Sequence, residues 1–476
     1  MNVLLVLLLL LPLALFVADG KWRQSLLYTT VIGFLQDPLR KITPNQPPLY
    51  VGFALAGILL TAITLYIRVG RINLVQLFNG DRRLVSAVEL FFVLIVLQVV
   101  NSLFNVGSAT NALIGVGFYI APFIALWLGF QFALKPSAVE RYLWIYVIMA
   151  LLFAFTLLLS YWGYKGALFT EVRGGTQILV AGLGKYTQGY TGFWRSSEVA
   201  AWHLSTCACF VLILGVKRKE PWPIAVASAL TITLMVLGTL TGRRKSLAMV
   251  AGFFVIFIVL ILWRGDTRLR STLIAGLGGG FMLLLLFVSV GGNPTTGGTF
   301  GAFLDRGSTV WTDIFSRLND IGIASIGDAL EVGGPLGAGI GAAAQGVGGL
   351  ASGVKLNVGS AEGGLGKIVL ELGLAGAFFF TLILALLARL FWRTIYILRY
   401  APPSYGLLNL GLIAFLAANV FNFTGASQVY GDPFVLSIIG LSAGFVLASP
   451  SVIQAHLAAQ RQTAADLPGL PAAALP

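Results

Sequence analysis

Long apolar segments recur along this chain and limit what it can fold into. Each is about 18–22 residues long, which matches the roughly 20 residues that a helix needs to cross a bilayer. Only 10% of the residues are charged and the mean hydropathy is +0.89, whereas soluble domains carry about 25% charged residues. The sequence therefore predicts an all-α polytopic membrane protein with about twelve transmembrane helices. We expect them at roughly 2–18, 49–67, 86–104, 113–134, 142–163, 198–216, 222–240, 246–263, 271–291, 366–388, 404–423 and 433–449.

These spans divide the chain into four parts. Residues 1–291 hold the first nine helices, 292–365 form one long outer (periplasmic) loop, and 366–449 hold the last three helices. Residues 450–476, rich in Ala and Pro, are expected to form a disordered tail. The first apolar run resembles the core of a signal peptide, but it is long and has no basic residues before it, which favours an uncleaved helix.

The positions of Lys and Arg predict the orientation, because cytoplasmic loops are enriched in these residues. With the N-terminus inside, cations cluster in the cytoplasmic loops, whereas the outer loops at 105–112 and 424–432 carry none. This predicts that both the N-terminus and the C-terminus face the cytoplasm. Segment 19–48 does not fit, and we expect it either to lie along the interface or to re-enter the membrane. It places four cations on the predicted outer side: Lys21, Arg23, Arg40 and Lys41.

A short cationic sequence, TGRRKS at 241–246, also falls on the predicted outer side. Arg195, Arg306 and Arg317 lie in other outer loops. Cations in these places oppose the positive-inside trend, so they either bind an anionic substrate or anchor helix ends to lipid headgroups. The net charge of +13 is distributed over short loops, which indicates lipid headgroups and lipid-linked phosphates as partners and no nucleic acid.

The long outer loop has two different parts. VWTDIFSRLNDIGIASI at 310–326 has apolar residues at helical spacing, which predicts an amphipathic helix on the membrane surface. GGPLGAGIGAAAQGVGGLASG at 333–353 is rich in glycine. Glycine lets backbone approach a ligand closely and lets a lid rearrange. This second part is therefore either a ligand-binding lid or a flexible connector.

Three stretches stand in an order that is found in a known family. LTGRRKSLAMV precedes a span, FSRLNDIGIASIGDALEVGGPLGAGIG follows in the long loop, and AEGGLGKIVLELGLAGAFFF enters the next span. Over roughly residues 190–390, the chain resembles the O-antigen ligase and polysaccharide polymerase superfamily of lipid-diphosphate-dependent, GT-C-like membrane glycosyltransferases. The resemblance implies a multi-pass inverting enzyme of the bacterial inner membrane. Such an enzyme polymerises or ligates undecaprenyl-diphosphate-linked glycan repeat units at the outer leaflet, for exopolysaccharide or O-antigen synthesis.

The resemblance also implies roles for arginines. The family arginine beside the short outer loop maps to Arg244, with Arg243 as the alternative, and that of the outer helix maps to Arg317. When the sugar C1–O bond breaks, negative charge develops on the phosphate oxygens. Guanidinium groups stay charged and bind phosphate oxygens in pairs, so arginines aimed at that charge stabilise the transition state. We expect them to act without a metal ion or other cofactor, although a membrane anchor or a solvated helix face would also explain them.

The family's closing motif implies a proton acceptor. PLGAGIG at 335–341 matches its glycine turn, and Glu371 with Gly373 matches its E-x-G motif. Nine residues before Glu371, where the family has histidine, this chain has Glu362. Glu362 is then the candidate catalytic base, unless it is an exposed loop acid. Glu371 lies within a span, so we expect a structural ion pair with Lys367 one turn earlier.

RSSEVAAWHL at 195–204 places Arg195, Glu198 and His203 at the outer end of a span. We expect Arg195 and His203 to bind substrate, together with Arg306 of the long loop. The alternative for His203 is a packed residue bonded to a neighbouring helix. At another outer helix end, four polar residues are candidates for binding sugar hydroxyls: Asn419, Asn422, Gln428 and Asp432.

The cysteines and histidines argue against a protein-held metal ion. Cys207 and Cys209 are two residues apart on a predicted helix and point in different directions, so they suggest neither a disulfide nor a metal pair. The two histidines, His203 and His456, are far apart in sequence. We therefore expect no metal site.

Two other functions remain open at this point. A transporter or flippase of lipid-linked glycans would also need cations near lipid phosphates, but in a path that reaches both leaflets and with acids in mid-membrane for ion coupling. A non-catalytic scaffold of a polysaccharide export complex would not depend on Arg244 or Arg317. For the transferase, the expected partners are the lipid-linked oligosaccharide, a glycan or lipid acceptor, membrane lipids, and polysaccharide export or chain-length proteins.

Overall fold

The computed structural model describes residues 2–70, 72–107, 109–172, 177–180, 185–264, 318–343, 363–425 and 427–465. Within those ranges the regular structure is almost entirely helical. Ten of these helices are long and apolar enough to cross a membrane, which confirms a polytopic helical membrane protein. The predicted span at 271–291 lies outside the described residues, and the first predicted span forms a shorter apolar helix. The total of twelve therefore stays a prediction.

The helices are labelled here in chain order. They are α1 (Asn2–Ala18), α2 (Trp22–Ile42), α3 (Phe53–Val69), α4 (Arg82–Asn105), α5 (Ala109–Ala133), α6 (Pro136–Tyr161), α7 (Ser197–Val216), α8 (Pro221–Thr239), α9 (Lys245–Arg264), α10 (Ala324–Gly333), α11 (Gly364–Ile397), α12 (Pro403–Gly425), α13 (Pro433–Leu447) and α14 (Ser449–Ala465). Short helical turns lie at Pro48–Gly52, Leu74–Leu77, Leu318–Ile323, Leu398–Tyr400 and Gln428–Gly431. A small antiparallel hairpin, β1 (Gln177–Val180) with β2 (Lys185–Gln188), pairs Gln177 with Gln188 in the connection between α6 and α7.

The spanning helices fall where hydropathy predicted them, at α3 to α9 and α11 to α13. These helices run between the two ends of one bundle. The end that holds the start of α7 and the α8–α9 turn is called the outer end here, following the predicted orientation. The largest difference from the prediction is in α11, which continues past residue 388 to Ile397 and is kinked at Gly373, where φ is +69°.

α2 is a helix inside the bundle. We had expected segment 19–48 to lie at the interface or to re-enter the membrane. Its 21 residues span about 32 Å at 1.5 Å per residue, which is enough to cross the hydrocarbon core. Its polar side chains face other helices: the Ser25 and Thr61 hydroxyl oxygens are 2.7 Å apart. The Thr29 hydroxyl donates to the Ser25 carbonyl at 2.8 Å. The low hydropathy of α2 thus reflects contacts between helices and not exposure to water.

α1 and α2 form an antiparallel hairpin before α3, where the sequence predicted a single helix. Gly20, in the turn between α1 and α2, lies against the Arg68 guanidinium at the end of α3. Near the other end of α2, the Lys41 ammonium donates to the Gly192 carbonyl at 2.7 Å. α2 therefore runs from the predicted cytoplasmic end to the outer end, and α1 packs back along it. Our expectation of a cytoplasmic N-terminus counted one helix before α3, whereas the structure has two; the membrane side of the N-terminus stays a prediction.

α7 occupies the centre of the bundle. Its spanning segment is buried along its whole length, with α6, α8, α9 and α12 as neighbours. Cys207 and Cys209 are buried in it and are not bonded to each other. The outer end of this central helix is thus surrounded by the ends of other helices.

The glycine turn at 335–341 is packed between helix ends. A backbone N–H of the turn donates to an α11 carbonyl at 2.7 Å, and the Ser102 hydroxyl of α4 donates to the Ile340 carbonyl at 2.8 Å. Gly339 has φ +105° and lies against the backbone of Ser102, so a side chain there would be both strained and obstructed. This part of the glycine-rich segment is neither a free connector nor an open lid. Residues 344–353 lie outside the described residues.

Two other expectations need correction. The amphipathic helix predicted at 310–326 is described from Leu318, and the helical path continues through α10 to Gly333, where Ala329 packs against Val369 and Leu370 of α11. Residues 450–476 were expected to be disordered, yet α14 is helical as far as Ala465. Its sequence is rich in Ala and Gln, which have high helix propensity. Residues 466–476 lie outside the described residues.

Candidate functional site

The TGRRKS segment forms the turn from α8 into α9 and faces the start of α7. The Thr241 hydroxyl donates to the Gly238 carbonyl at 2.6 Å and accepts the Arg243 N–H at 3.2 Å. The Arg244 carbonyl accepts one of the first hydrogen bonds of α9, from the Leu247 N–H at 3.1 Å. The turn therefore fixes both arginines at a helix N-terminus.

Arg243 extends from this turn to α7. Its Nη1 lies 3.0 Å from Glu198 Oε1, and its Nε donates to the Ser197 hydroxyl at 3.1 Å. The Gln428 side-chain amide, with its nitrogen facing the carboxylate, also donates to Glu198. On the far side of Ser197, the Glu171 carboxylate accepts the Ser197 N–H at 2.9 Å. These contacts hold Arg243 and Glu198 in fixed orientations, and both side chains stay partly exposed, at 16% and 23%.

An open cleft, called the outer cleft here, lies beside this ion pair. It holds about 350 Å³ of empty space, part of it open to solvent. It is lined by Glu198, Ala201, Trp202, Arg243, Lys245, Met249, Asn422, Gln428 and Val429. Two cations, one carboxylate, two amides and an indole thus face one space. This combination suits a ligand that carries both negative charge and hydroxyl groups.

The wall opposite Arg243 is held by hydrogen bonds. The Trp202 indole N–H donates to Asn419 Oδ1 at 2.9 Å, and the Asn422 amide donates to the Tyr430 hydroxyl at 3.1 Å. The Tyr430 hydroxyl in turn donates to the Asn419 carbonyl at 3.0 Å. Of the four polar residues predicted to bind sugar hydroxyls, Asn422 lines the cleft together with Gln428. Asn419 supports the wall from behind.

The helix ends add positive potential to the outer cleft. α7 begins at Ser197 and α9 begins at Lys245, so the first turns of both helices contribute lining residues. A helix N-terminus carries partial positive charge, which favours anions. Together with two cations against one carboxylate, this makes the cleft a favourable environment for a phosphate group.

Arg195 has a different role from the predicted one. Its guanidinium lies 3.2 Å from Asp37 Oδ1 of α2 and 2.7 Å from Asp432 Oδ2 at the start of α13. Burial alone would lower the pKa of Arg195, but the charges of Asp432 and Asp37 outweigh it and raise the pKa. Both carboxylates are almost fully buried. The geometry therefore favours a structural triad that joins three elements over the predicted substrate contact.

His203 lies inside the bundle and is 1% exposed. Its Nδ1 shares a 2.7 Å hydrogen bond with the Tyr146 hydroxyl, and its ring is stacked on Trp194 and packed against Phe34 and Phe434. The neighbouring residue, Trp202, lines the cleft, whereas His203 is on the closed side of α7. The structure thus favours the packed alternative for His203 over substrate binding.

The structure describes some of the predicted arginines and bases, but not all of them. Of the two arginines in TGRRKS, Arg243 lines the outer cleft and Arg244 is a partly exposed residue just before α9. This favours the alternative assignment of the family motif. Three further candidates lie outside the described residues, so their predicted roles stay predictions: Glu362, Arg317 and Arg306.

Glu371 supports the glycine turn and does not need Lys367 as a partner. Its carboxylate accepts the Tyr119 hydroxyl at 2.6 Å and the Ala343 N–H at 3.1 Å, and it is fully buried. The Lys367 ammonium instead lies 5.2 Å from the centre of the Phe118 ring. The predicted Lys367–Glu371 ion pair is replaced by contacts from other elements, but the structural role expected of Glu371 agrees with its surroundings.

Sequence reasoning did not select Glu198, Trp202 or Lys245 as site residues. The available signals were weak: an acid in the first turn of an apolar helix and the third cation of TGRRKS. Their common space depends on Asn422 and Gln428, which are more than 170 positions away in sequence. Such a meeting of distant helix ends has no local signature.

Comparison with protein families and with curated proteins finds no match to this chain. The resemblance described above therefore remains a hypothesis based on short motifs. A functional proposal has to rest on the geometry of the outer cleft and on the membrane fold.

Proposed function

We propose that this protein is a membrane glycosyltransferase. In this proposal it takes glycans linked to a lipid diphosphate, of the undecaprenyl diphosphate type, and transfers them at the outer leaflet to a hydroxyl of a glycan or lipid acceptor. Transfer to a growing glycan would make it a polymerase, and transfer to a finished lipid acceptor would make it a ligase. The setting is the bacterial inner membrane.

The observation that supports the proposal is the pairing of charges and polar groups in the outer cleft. Arg243 and Lys245 face the same space as the amides of Asn422 and Gln428 and the indole of Trp202. Guanidinium and ammonium groups bind phosphate oxygens, while amides bind hydroxyl groups. A sugar diphosphate presents both kinds of group next to each other.

The location of the outer cleft supports the same substrate class. It lies where the ends of membrane-crossing helices meet, so a ligand with a membrane-embedded lipid tail can place its headgroup there. The N-termini of α7 and α9 add a favourable potential for charge that develops on a leaving diphosphate. Stabilisation of that charge accelerates bond cleavage if it is stronger in the transition state than in the bound substrate.

The test compares lipid-linked glycans in cells that carry wild type, Arg243→Ala or Arg244→Ala at matched expression, resolved by mass. Arg68→Ala, at the exposed cytoplasmic end of α3, is the control for loss of an arginine. We expect Arg243→Ala to accumulate lipid-linked units and to lose product more severely than Arg244→Ala, because Arg243 lines the cleft.

Each pattern of glycans has a distinct meaning. Single units that accumulate on the lipid carrier while long chains vanish indicate a polymerase, and long chains that stay on the carrier indicate a ligase. Units trapped on the cytoplasmic leaflet indicate a flippase and contradict the proposal. Unchanged glycans in Arg243→Ala indicate a scaffold and also contradict it.

A further inference from the structure

A single carboxylate lines the outer cleft among the residues that the structure describes. Glu198 lies in the first turn of α7 and is 23% exposed. Glu171 is separated from the cleft by Ser197 and is buried at 6% exposure. Transfer of a glycan to a hydroxyl releases a proton, so a group in the cleft has to accept it.

We infer that Glu198, in place of the predicted Glu362, is the catalytic base, which takes the proton from the acceptor hydroxyl; this rests on the proposed transferase function. The acceptor oxygen attacks C1 of the donor sugar as its O–H proton moves to a Glu198 carboxylate oxygen. The C1–O bond to the diphosphate breaks, and its electron pair stays on the diphosphate oxygen. The products are the elongated glycan, the lipid diphosphate and a protonated Glu198, which releases its proton to solvent at the open mouth of the cleft.

The ion pair with Arg243 links this proton transfer to binding of the donor. Arg243 directs Nη1 to Glu198 at 3.0 Å and Nε to Ser197. Phosphate oxygens compete for guanidinium donors because they bind them in pairs. When a diphosphate draws the guanidinium group toward itself, the Glu198 carboxylate loses part of its ion pair and is available to the acceptor hydroxyl. Glu198 therefore becomes an effective base when a donor is in place.

Gln428 keeps the carboxylate in the cleft during this exchange. Its amide donates to Glu198 independently of Arg243, from a turn that follows α12. An amide does not neutralise charge, so it orients the carboxylate without removing its affinity for a proton. Among the residues that the structure describes, Arg243 and Lys245 are the other charged groups that line the cleft with Glu198.

The test uses the full-length protein in nanodiscs with two measurements. Turnover is followed with lipid-linked glycans extracted from cells that lack the protein, and binding is measured with undecaprenyl diphosphate. The variants are Glu198→Gln, which removes the base, and Glu198→Asp, which keeps the charge. The matched control is Glu140→Gln, because Glu140 forms an ion pair with Lys217 at the opposite end of the bundle.

We expect Glu198→Gln to lower turnover by roughly 10²–10⁴-fold, the usual contribution of a general base. Binding of undecaprenyl diphosphate should be kept or tightened, because Arg243 loses a competing carboxylate. Glu198→Asp should retain part of the turnover, and it carries the test if the Gln variant does not fold.

Three results would contradict the inference or its basis. Wild-type turnover in Glu198→Gln shows that another group accepts the proton, while the transferase function stands. An equal loss of binding and turnover shows that Glu198 only anchors Arg243. Absence of transfer by the wild-type protein, with binding unaffected by Arg243→Ala, contradicts the proposed function itself.

Discussion

Arg195 directly precedes α7, and Arg243 contacts the first turn of α7 from the α8–α9 turn. Their surroundings nevertheless give the two arginines different properties. Arg195 is enclosed between two buried carboxylates from α2 and α13. Arg243 faces one carboxylate and the outer cleft. A guanidinium that is saturated by fixed carboxylates is a structural link, whereas one beside a cleft can exchange its partner for a ligand. The sequence RSSE and the sequence TGRRKS do not reveal this difference, because the carboxylates come from distant elements.

The Arg195 triad leads to a prediction about stability. Arg195→Gln leaves Asp37 and Asp432 buried without their cation, and breaking a buried pair in this way costs about 3–5 kcal/mol. The measurement is thermal unfolding of the purified protein in detergent. Lys21→Gln is the control, because its pair with Asp19 is more than half exposed and such pairs contribute about 0–1 kcal/mol. Equal shifts in the two variants would show that the triad is not a stabilising unit.

At the scale of elements, α2 shows where hydropathy fails. The ten spanning helices were predictable because a long apolar run is most stable in the interior of the bilayer. α2 was not, since Ser25, Thr29 and Asp37 lower its hydropathy, and those side chains are satisfied by Thr61, by the α2 backbone and by Arg195. The residue type alone does not show whether a polar side chain contacts lipid or another helix. Only the packing distinguishes them.

The glycine turn is the second element whose role depended on packing. We expect Gly339→Ala to destabilise the protein by about 2–5 kcal/mol, from backbone strain and from collision with the α4 backbone. Gly327→Ala, in α10, has no heavy atom near the added methyl group and should stabilise by up to about 1 kcal/mol. Unfolding temperatures of both variants in detergent check the prediction. A neutral Gly339→Ala would mean that the turn is not fixed between α4 and α11.

At the scale of the whole molecule, the α1–α2 hairpin reassigns charges to the two membrane sides. Lys21 and Arg23 now lie at the same end as Arg68, which the positive-inside rule favours. Arg40 and Lys41 remain at the outer end, where Lys41 is buried and bonded to the Gly192 carbonyl. A membrane-crossing α2 would therefore explain the misfit of segment 19–48, which the sequence analysis counted as a connection.

Labelling of single cysteines tests this arrangement. With a membrane-impermeant maleimide, Leu49→Cys should react in intact cells, because Leu49 is exposed in the turn before α3 at the outer end. Lys21→Cys should react only after the membrane is permeabilised. The native Cys207 and Cys209 are buried and should give little background. Reaction of Lys21→Cys in intact cells would restore the original interpretation of segment 19–48.

The central position of α7 has a consequence for biosynthesis. Its neighbours include α6, made before it, and α12, made much later. Asn422 and Gln428, which complete the outer cleft, also belong to this late part of the chain. During synthesis, α7 must therefore remain in lipid with one side uncovered until α12 arrives, and it has enough hydropathy to do so. A ribosome that stops before α12 leaves a membrane-inserted chain whose outer cleft lacks Asn422 and Gln428.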